Sequence, residues 1–89
     1  SVEEKLSQVF DEENQFVAVA LSDDKKGESI VLLIKSALSL DEINERIKGL
    51  NVPPIMLPRQ VFLVDEIPML GSGKVDFKGA KNLAMSLVE

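Results

Sequence analysis

The chain has 89 residues, ten of them basic and fifteen acidic, giving a net charge of -5, and it contains neither cysteine nor histidine. That length suits one small domain, which buries roughly 60–70% of its unfolded surface on folding. The missing residue types exclude disulfides, zinc–thiolate sites, thiol nucleophiles and any Ser-His-Asp triad, so no metal site is expected and chemistry must rest on lysine, arginine, carboxylates, hydroxyls or backbone amides.

Ser1-Val2-Glu3-Glu4 reads as a capping box, with Val2, Leu6, Val9 and Phe10 on one face of a helix over about residues 2–10. Asp11-Glu12-Glu13-Asn14 is a polar break. Phe16–Leu21 is continuously apolar and valine-rich, the pattern of a strand covered on both faces. After the turn signal Ser22-Asp23-Asp24-Lys25-Lys26-Gly27, residues Ser29–Ile34 read as a second buried strand, antiparallel to the first.

Ser39-Leu40-Asp41-Glu42 is a second capping box, and Leu40, Ile43, Ile47 and Leu50 recur at helical spacing up to Gly49-Leu50-Asn51. Pro53-Pro54 and Pro58 break the helix and predict an extended connection. Val61–Val64 is a third strand, ended by Asp65, Glu66 and Pro68. Asp76 then caps a last helix, with Phe77, Ala80, Leu83, Ala84 and Leu87 facing inward and Gly79 weakening it slightly. The order is α-β-β-α-β-α. A strand–helix–strand passage normally crosses over right-handed, which sets strand three parallel to strand two if they are neighbours. The expectation is an α+β layered domain, a sheet of about three strands covered by helices.

The acidic balance argues against a nucleic-acid partner. The charge is uneven, however: residues 1–24 hold seven acids and one lysine, residues 25–60 six basic residues and four acids. Lys25, Lys26, Arg46 and Lys48 could attract an acidic carrier protein, although an ordinary solvated surface is the plainer reading of each. No apolar run approaches the ~20 residues that cross a bilayer. The sequence starts at serine and shows no signal peptide, and it reads as a fragment of a longer protein.

The residues richest in chemistry are Ile67-Pro68-Met69-Leu70-Gly71-Ser72-Gly73-Lys74-Val75-Asp76. Gly71 and Gly73 let the backbone bend and a ligand approach, and Lys74 brings a compact positive charge suited to a phosphate or carboxylate. A P-loop is excluded, because Pro68 stands where its first glycine belongs and Val75 where serine or threonine must follow the lysine. A glycine turn carrying a solvated lysine is the plain alternative, and turn chemistry alone accounts for Ser72.

Pro58-Arg59-Gln60-Val61-Phe62-Leu63-Val64-Asp65-Glu66-Ile67-Pro68, followed by Gly71-Ser72-Gly73-Lys74-Val75-Asp76, resembles the last conserved region of the adenylate-forming enzymes: acyl-CoA synthetases, peptide-synthetase adenylation domains and luciferases. The resemblance covers nearly the whole chain and implies that residues 1–89 are the single C-terminal lid domain of such a ligase. Leu-Gly-Ser-Gly-Lys followed by x-Asp-Phe is similar to the branch that joins an acyltransferase to an acyl-[acyl-carrier-protein] synthetase. Most members have an arginine where Phe77 stands, and many have Lys-Thr where Met69 and Leu70 stand.

By this resemblance, a fatty acid attacks the α-phosphate of ATP to give an acyl-adenylate, and the thiol of acyl carrier protein or coenzyme A then displaces AMP. Lys74 is implied as the catalytic cation, reaching into the N-terminal adenylation domain. Gly71, Ser72 and Gly73 are implied beside the substrate, with Arg59 a weaker candidate for the thiol donor. ATP and Mg2+ are implied to be held mainly by the absent large domain, so the isolated chain is expected to hold no cofactor and to be inactive. The implied setting is bacterial cytoplasm, the parent enzyme lying at the inner membrane. The competing expectation is a non-catalytic module that docks a carrier protein or binds an anion.

Overall fold

The computed structural model describes residues 2–7, 10, 14–23 and 27–88. Nine-residue strands β1 (Gln15–Asp23) and β2 (Gly27–Lys35) pair antiparallel from Gln15↔Lys35 to Asp23↔Gly27. β3 (Gln60–Leu63) lies parallel to β2, with Val31↔Gln60 and Ile34↔Leu63, so the sheet order is β1-β2-β3. Both pairings and the element order agree with the sequence reading. The ladder extends past β3 at each end: Arg59 N–H donates to Ile30 O at 2.7 Å, and Val64 N–H to Ile34 O at 2.9 Å.

β2 is the central strand, and Val31, Leu32, Leu33 and Ile34 are all buried. Alternate side chains feed two cores. Val31 and Leu33 join Val17, Val19, Leu21, Ile67, Ala80 and Ala84 on one face of the sheet. Leu32 and Ile34 join Leu6, Phe10, Ile43 and Ile47 on the other. Helix α3 (Phe77–Val88) covers the first face, while α1 (Val2–Leu6) and α2 (Leu40–Lys48) cover the second. The result is a three-layered α+β domain.

β1 departs from the expected double burial. Its Val17, Val19 and Leu21 are buried but Ala20 is exposed, because β1 is an edge strand and α1 is short. Phe10 N–H still donates to Leu6 O at 3.0 Å, continuing the helical spacing beyond α1. Ser1 of the first capping box, Val9, the acidic run 11–13 and Lys25 and Lys26 lie outside the described residues. Ser39 caps α2 as expected, its Oγ accepting from Glu42 N–H at 3.2 Å, while Glu42 Oε1 meets the Ser39 hydroxyl at 3.3 Å.

Three side chains assigned to the interior lie outside it. Leu40 sits in the first turn of α2, and Phe77 and Leu87 lie near the ends of α3, all three exposed. α3 packs through the small residues Ala80 and Ala84, which bring the helix close to the strands. The proline segment is not fully extended either. Pro54–Met56 forms one 3-10 turn, closed by Met56 N–H to Pro53 O (2.9 Å) and Leu57 N–H to Pro54 O (3.1 Å). The fixed φ of proline suits the start of such a turn as well as an extended chain.

Candidate functional site

Past β3 the chain turns at Ile67-Pro68 and makes a small hairpin that carries Lys74. Asp76 N–H donates to Pro68 O at 3.0 Å, and Leu70 N–H to Lys74 O at 2.7 Å. Met69 and Val75 face each other between these bonds as an antiparallel bridge. Gly73 N–H closes the tip on Leu70 O at 2.9 Å. This is the hydrogen-bonding pattern of a three-residue hairpin loop whose third residue takes a left-handed conformation.

Gly73 supplies that conformation at φ +90°, a region that costs any residue with a Cβ. Gly71 does not have a positive φ, and a Cβ added there meets nothing within 4 Å. The two glycines therefore differ in role: the turn requires Gly73 but tolerates a side chain at Gly71.

Side chains alternate across the hairpin. Met69 and Val75 line a groove of about 280 Å3 with Asn14, Gln15, Phe16 and Ile67, against the start of β1. Leu70 and Lys74, the next pair, belong to the opposite face. Lys74 is exposed, and it has no ion-pair or hydrogen-bond partner among the described residues. Ser72 is exposed at the tip. Met69, Leu70 and Phe77 surround this end of the domain with exposed apolar surface, Phe77 being 59% exposed.

Two contacts fix the base of the hairpin. Lys35 Nζ at the end of β2 pairs with Glu66 Oε1 at 3.0 Å. Asp76 Oδ1 accepts from Gly79 N–H at 2.9 Å, capping α3, while Asp76 O accepts from Ala80 N–H at 2.8 Å. The cap was legible in the sequence. The Lys35–Glu66 pair was not, since 31 residues separate its members and nothing local signals it.

Arg59 lies elsewhere. It precedes β3 beside Ile30, whereas the hairpin sits past the other end of β3, beside the start of β1, so the structure does not bring Arg59 together with Lys74. Arg59 instead shares a groove of about 360 Å3 with Lys48, Asn44, Ile47, Leu57, Pro58 and Val61. Of the other basic candidates, Arg46 lies over the Phe10 ring, 5.9 Å from its centroid, and Lys48 pairs loosely with Glu45 at 3.7 Å.

The hairpin suits an anion rather than a cation. Between Met69 and Val75 it offers one ammonium group, one hydroxyl and no carboxylate, whereas Mg2+ takes oxygen ligands. Among the described residues, no group of three or more Asp or Glu side chains is arranged to hold a metal ion. No helix among them is long and apolar enough to cross a membrane.

Comparison with known proteins agrees with this architecture. The fold is that of an acyl-CoA synthetase (AMP-forming)/AMP-acid ligase II-like protein from Dyadobacter fermentans (TM-score 0.78, 17% identity), covering 93% of this chain and 25% of that one. It is equally similar to a fatty acyl CoA synthetase from Mycobacterium tuberculosis (TM-score 0.78, 18% identity, 97% of this chain and 17% of that one). An amide bond synthetase from Marinactinospora thermotolerans contains it too (TM-score 0.67, 19% identity, 96% and 17%). The chain thus spans a quarter or less of the length of these proteins. The sequence profile of the AMP-binding enzyme C-terminal domain matches residues 2–74, through to the hairpin lysine itself. The chain belongs to the family of AMP-binding enzyme C-terminal domains.

Proposed function

We propose that residues 1–89 are the mobile C-terminal lid of an ATP-dependent fatty acid ligase, and that Lys74 is its catalytic cation, acting in the active site of an N-terminal adenylation domain. The observation that carries this reading is the state of Lys74: exposed, unpaired among the described residues, and held at the end of a closed hairpin. A lysine that stabilised its own domain would have a partner there. This one presents its charge outward.

The chemistry follows from charge. As a fatty carboxylate attacks the α-phosphate of ATP, negative charge gathers between the two groups, and a positioned ammonium stabilises it in a water-poor cleft. The lysine ammonium serves there as a compact electrostatic group. Gly71, Ser72 and Gly73 form the narrow tip that enters with it, Ser72 offering a hydroxyl. Magnesium and the bulk of ATP belong to the large domain, because the hairpin offers the metal no carboxylate. A thiol then displaces AMP from the acyl-adenylate.

The acceptor in this reading is acyl carrier protein or coenzyme A. The groove shared by Arg59 and Lys48 supports an acidic carrier, since two cations flank the apolar floor of Ile47, Leu57 and Val61. The Leu-Gly-Ser-Gly-Lys-x-Asp-Phe pattern supports the bifunctional 2-acylglycerophosphoethanolamine acyltransferase/acyl-[acyl-carrier-protein] synthetase as the parent, a bacterial enzyme of phospholipid recycling. That parent would work in the cytoplasm, against the inner membrane.

The test is Lys74→Ala in the full-length protein. Loss of one such electrostatic group lowers the rate on the order of 10²–10³-fold, read as ATP–pyrophosphate exchange. Thioester formation from preformed acyl-adenylate should persist. Exchange within twofold of the parent enzyme refutes the catalytic role of Lys74.

A further inference from the structure

The large apolar side chains that the domain leaves exposed are not spread evenly. Among the described residues the three most exposed are Phe77 at 59%, Met69 at 50% and Leu70 at 48%, and all three flank Lys74. Met69 lies across the hairpin from Val75, on one of its faces. Leu70 belongs to the other face, paired with Lys74 by the 2.7 Å bond from Leu70 N–H to Lys74 O. Phe77 follows Asp76, whose N–H closes the hairpin base on Pro68 O at 3.0 Å. Apolar surface therefore stands on both faces of the hairpin and at its foot.

Charge is nearly absent from the same surface. From Ile67 to Val75 the only charged residue is Lys74, and the carboxylate of Asp76 is engaged by Gly79 N–H at 2.9 Å. A face of this composition gains little from an ionic partner. Adjoining exposed apolar residues around one functional group mark a surface that another surface covers. That other surface lies where Lys74 acts, because the three side chains belong to the same hairpin and its foot. The domain spans a quarter or less of the length of its solved relatives, and the lid reading puts the hairpin tip in the active site of a large adenylation domain.

We infer that Met69, Leu70 and Phe77 form an apolar collar that docks on an apolar rim of that large domain when the lid closes for adenylation. This rests on the lid reading proposed above. The collar has two effects. Burying its side chains supplies an attraction that holds the closed position. It also removes water from around the ammonium, where the pull on the charge developing between carboxylate and phosphate is then stronger. Phe77 is the principal anchor, since aromatic side chains carry much of the energy of such contacts. Met85 is exposed too, at 44%, but it lies toward the opposite end of α3 and falls outside the collar.

The experiment uses the full-length protein and the variants Phe77→Ser, Leu70→Ser, Phe77→Leu, Met85→Ser and Lys74→Ala. Truncating an interface anchor weakens a contact on the order of tenfold, so Phe77→Ser and Leu70→Ser should each lower kcat for ATP–pyrophosphate exchange by about that factor. KM for ATP and thioester formation from preformed acyl-adenylate should stay near parental. Phe77→Leu keeps an apolar contact and should retain exchange within about threefold of the parent enzyme. Met85→Ser removes exposed apolar surface away from the hairpin and should leave exchange within about twofold.

Parental exchange in both Phe77→Ser and Leu70→Ser overturns the collar. An equal loss in Met85→Ser overturns it as well, as does a loss shared by both half-reactions, because either reports damage to the fold. A loss confined to thioester formation with acyl carrier protein assigns the face to the carrier instead. Parental exchange with an altered oligomeric state assigns it to a second copy of the chain, and both results refute the inference. If Lys74→Ala abolishes exchange while the collar variants do not, the collar fails and the reading of Lys74 stands. If the collar variants lose exchange while Lys74→Ala does not, the collar stands and the reading of Lys74 falls.

Discussion

Replacing Gly73 by alanine isolates what the backbone of the lysine hairpin costs. Gly73 has φ +90°, and a Cβ built there meets nothing within 4 Å. No clash contributes, so the penalty is that of a left-handed conformation in an L-residue, about 1–2 kcal/mol. In a domain of this size each kcal/mol lowers the melting midpoint by roughly 4–8 °C, so Gly73→Ala should lower it by roughly 4–16 °C. Gly71→Ala is the internal control. Its φ is not positive and its surroundings are open, so the substitution acts mainly by restricting the unfolded chain and should be neutral or stabilising by up to ~1 kcal/mol. Thermal unfolding of the 89-residue domain, followed by circular dichroism, compares the two. Equal midpoints for the two variants would refute the assignment of the turn, because the two glycines would then be conformationally equivalent.

Two further outcomes probe the frame behind the hairpin. Ile34→Ala empties a fully buried position in the core beneath α1 and α2 and should cost about 2–5 kcal/mol in urea unfolding. Ser39→Ala removes the hydroxyl that accepts from Glu42 N–H and should cost about 1 kcal/mol, with less helix signal at the same temperature.

Elements governed by neighbours in sequence were legible before the structure. Ser39 and Asp76 sit at helix starts because their side-chain oxygens reach an amide three residues on. The β1–β2 hairpin follows from two apolar runs separated by a turn signal, and the parallel β2–β3 pairing from the handedness of the intervening crossover. The hairpin carrying Lys74 was visible because its glycines, serine and lysine are contiguous. What depended on distant partners was not visible. Phe77 and Leu87 fit the helical period of α3, but the helix meets the sheet through Ala80 and Ala84, with Leu83 packed beside them, and Phe77 and Leu87 stay exposed near its ends. Arg59 precedes the same strand that leads to the hairpin, yet that strand's own length carries the two apart.

The placement of β2 has a mechanical consequence. Leu32 and Ile34 wall one core, Val31 and Leu33 the other, so a single stretch of backbone is common property of both. Neither core can melt without stripping a face from the strand that completes its neighbour. The two layers of helix should therefore be lost together, in one transition. In the lid role proposed above, such indivisibility means that the domain would turn on its larger partner as one body rather than bend. Under the proposed lid role, the charge at the tip of the hairpin would travel as the end of a stiff lever.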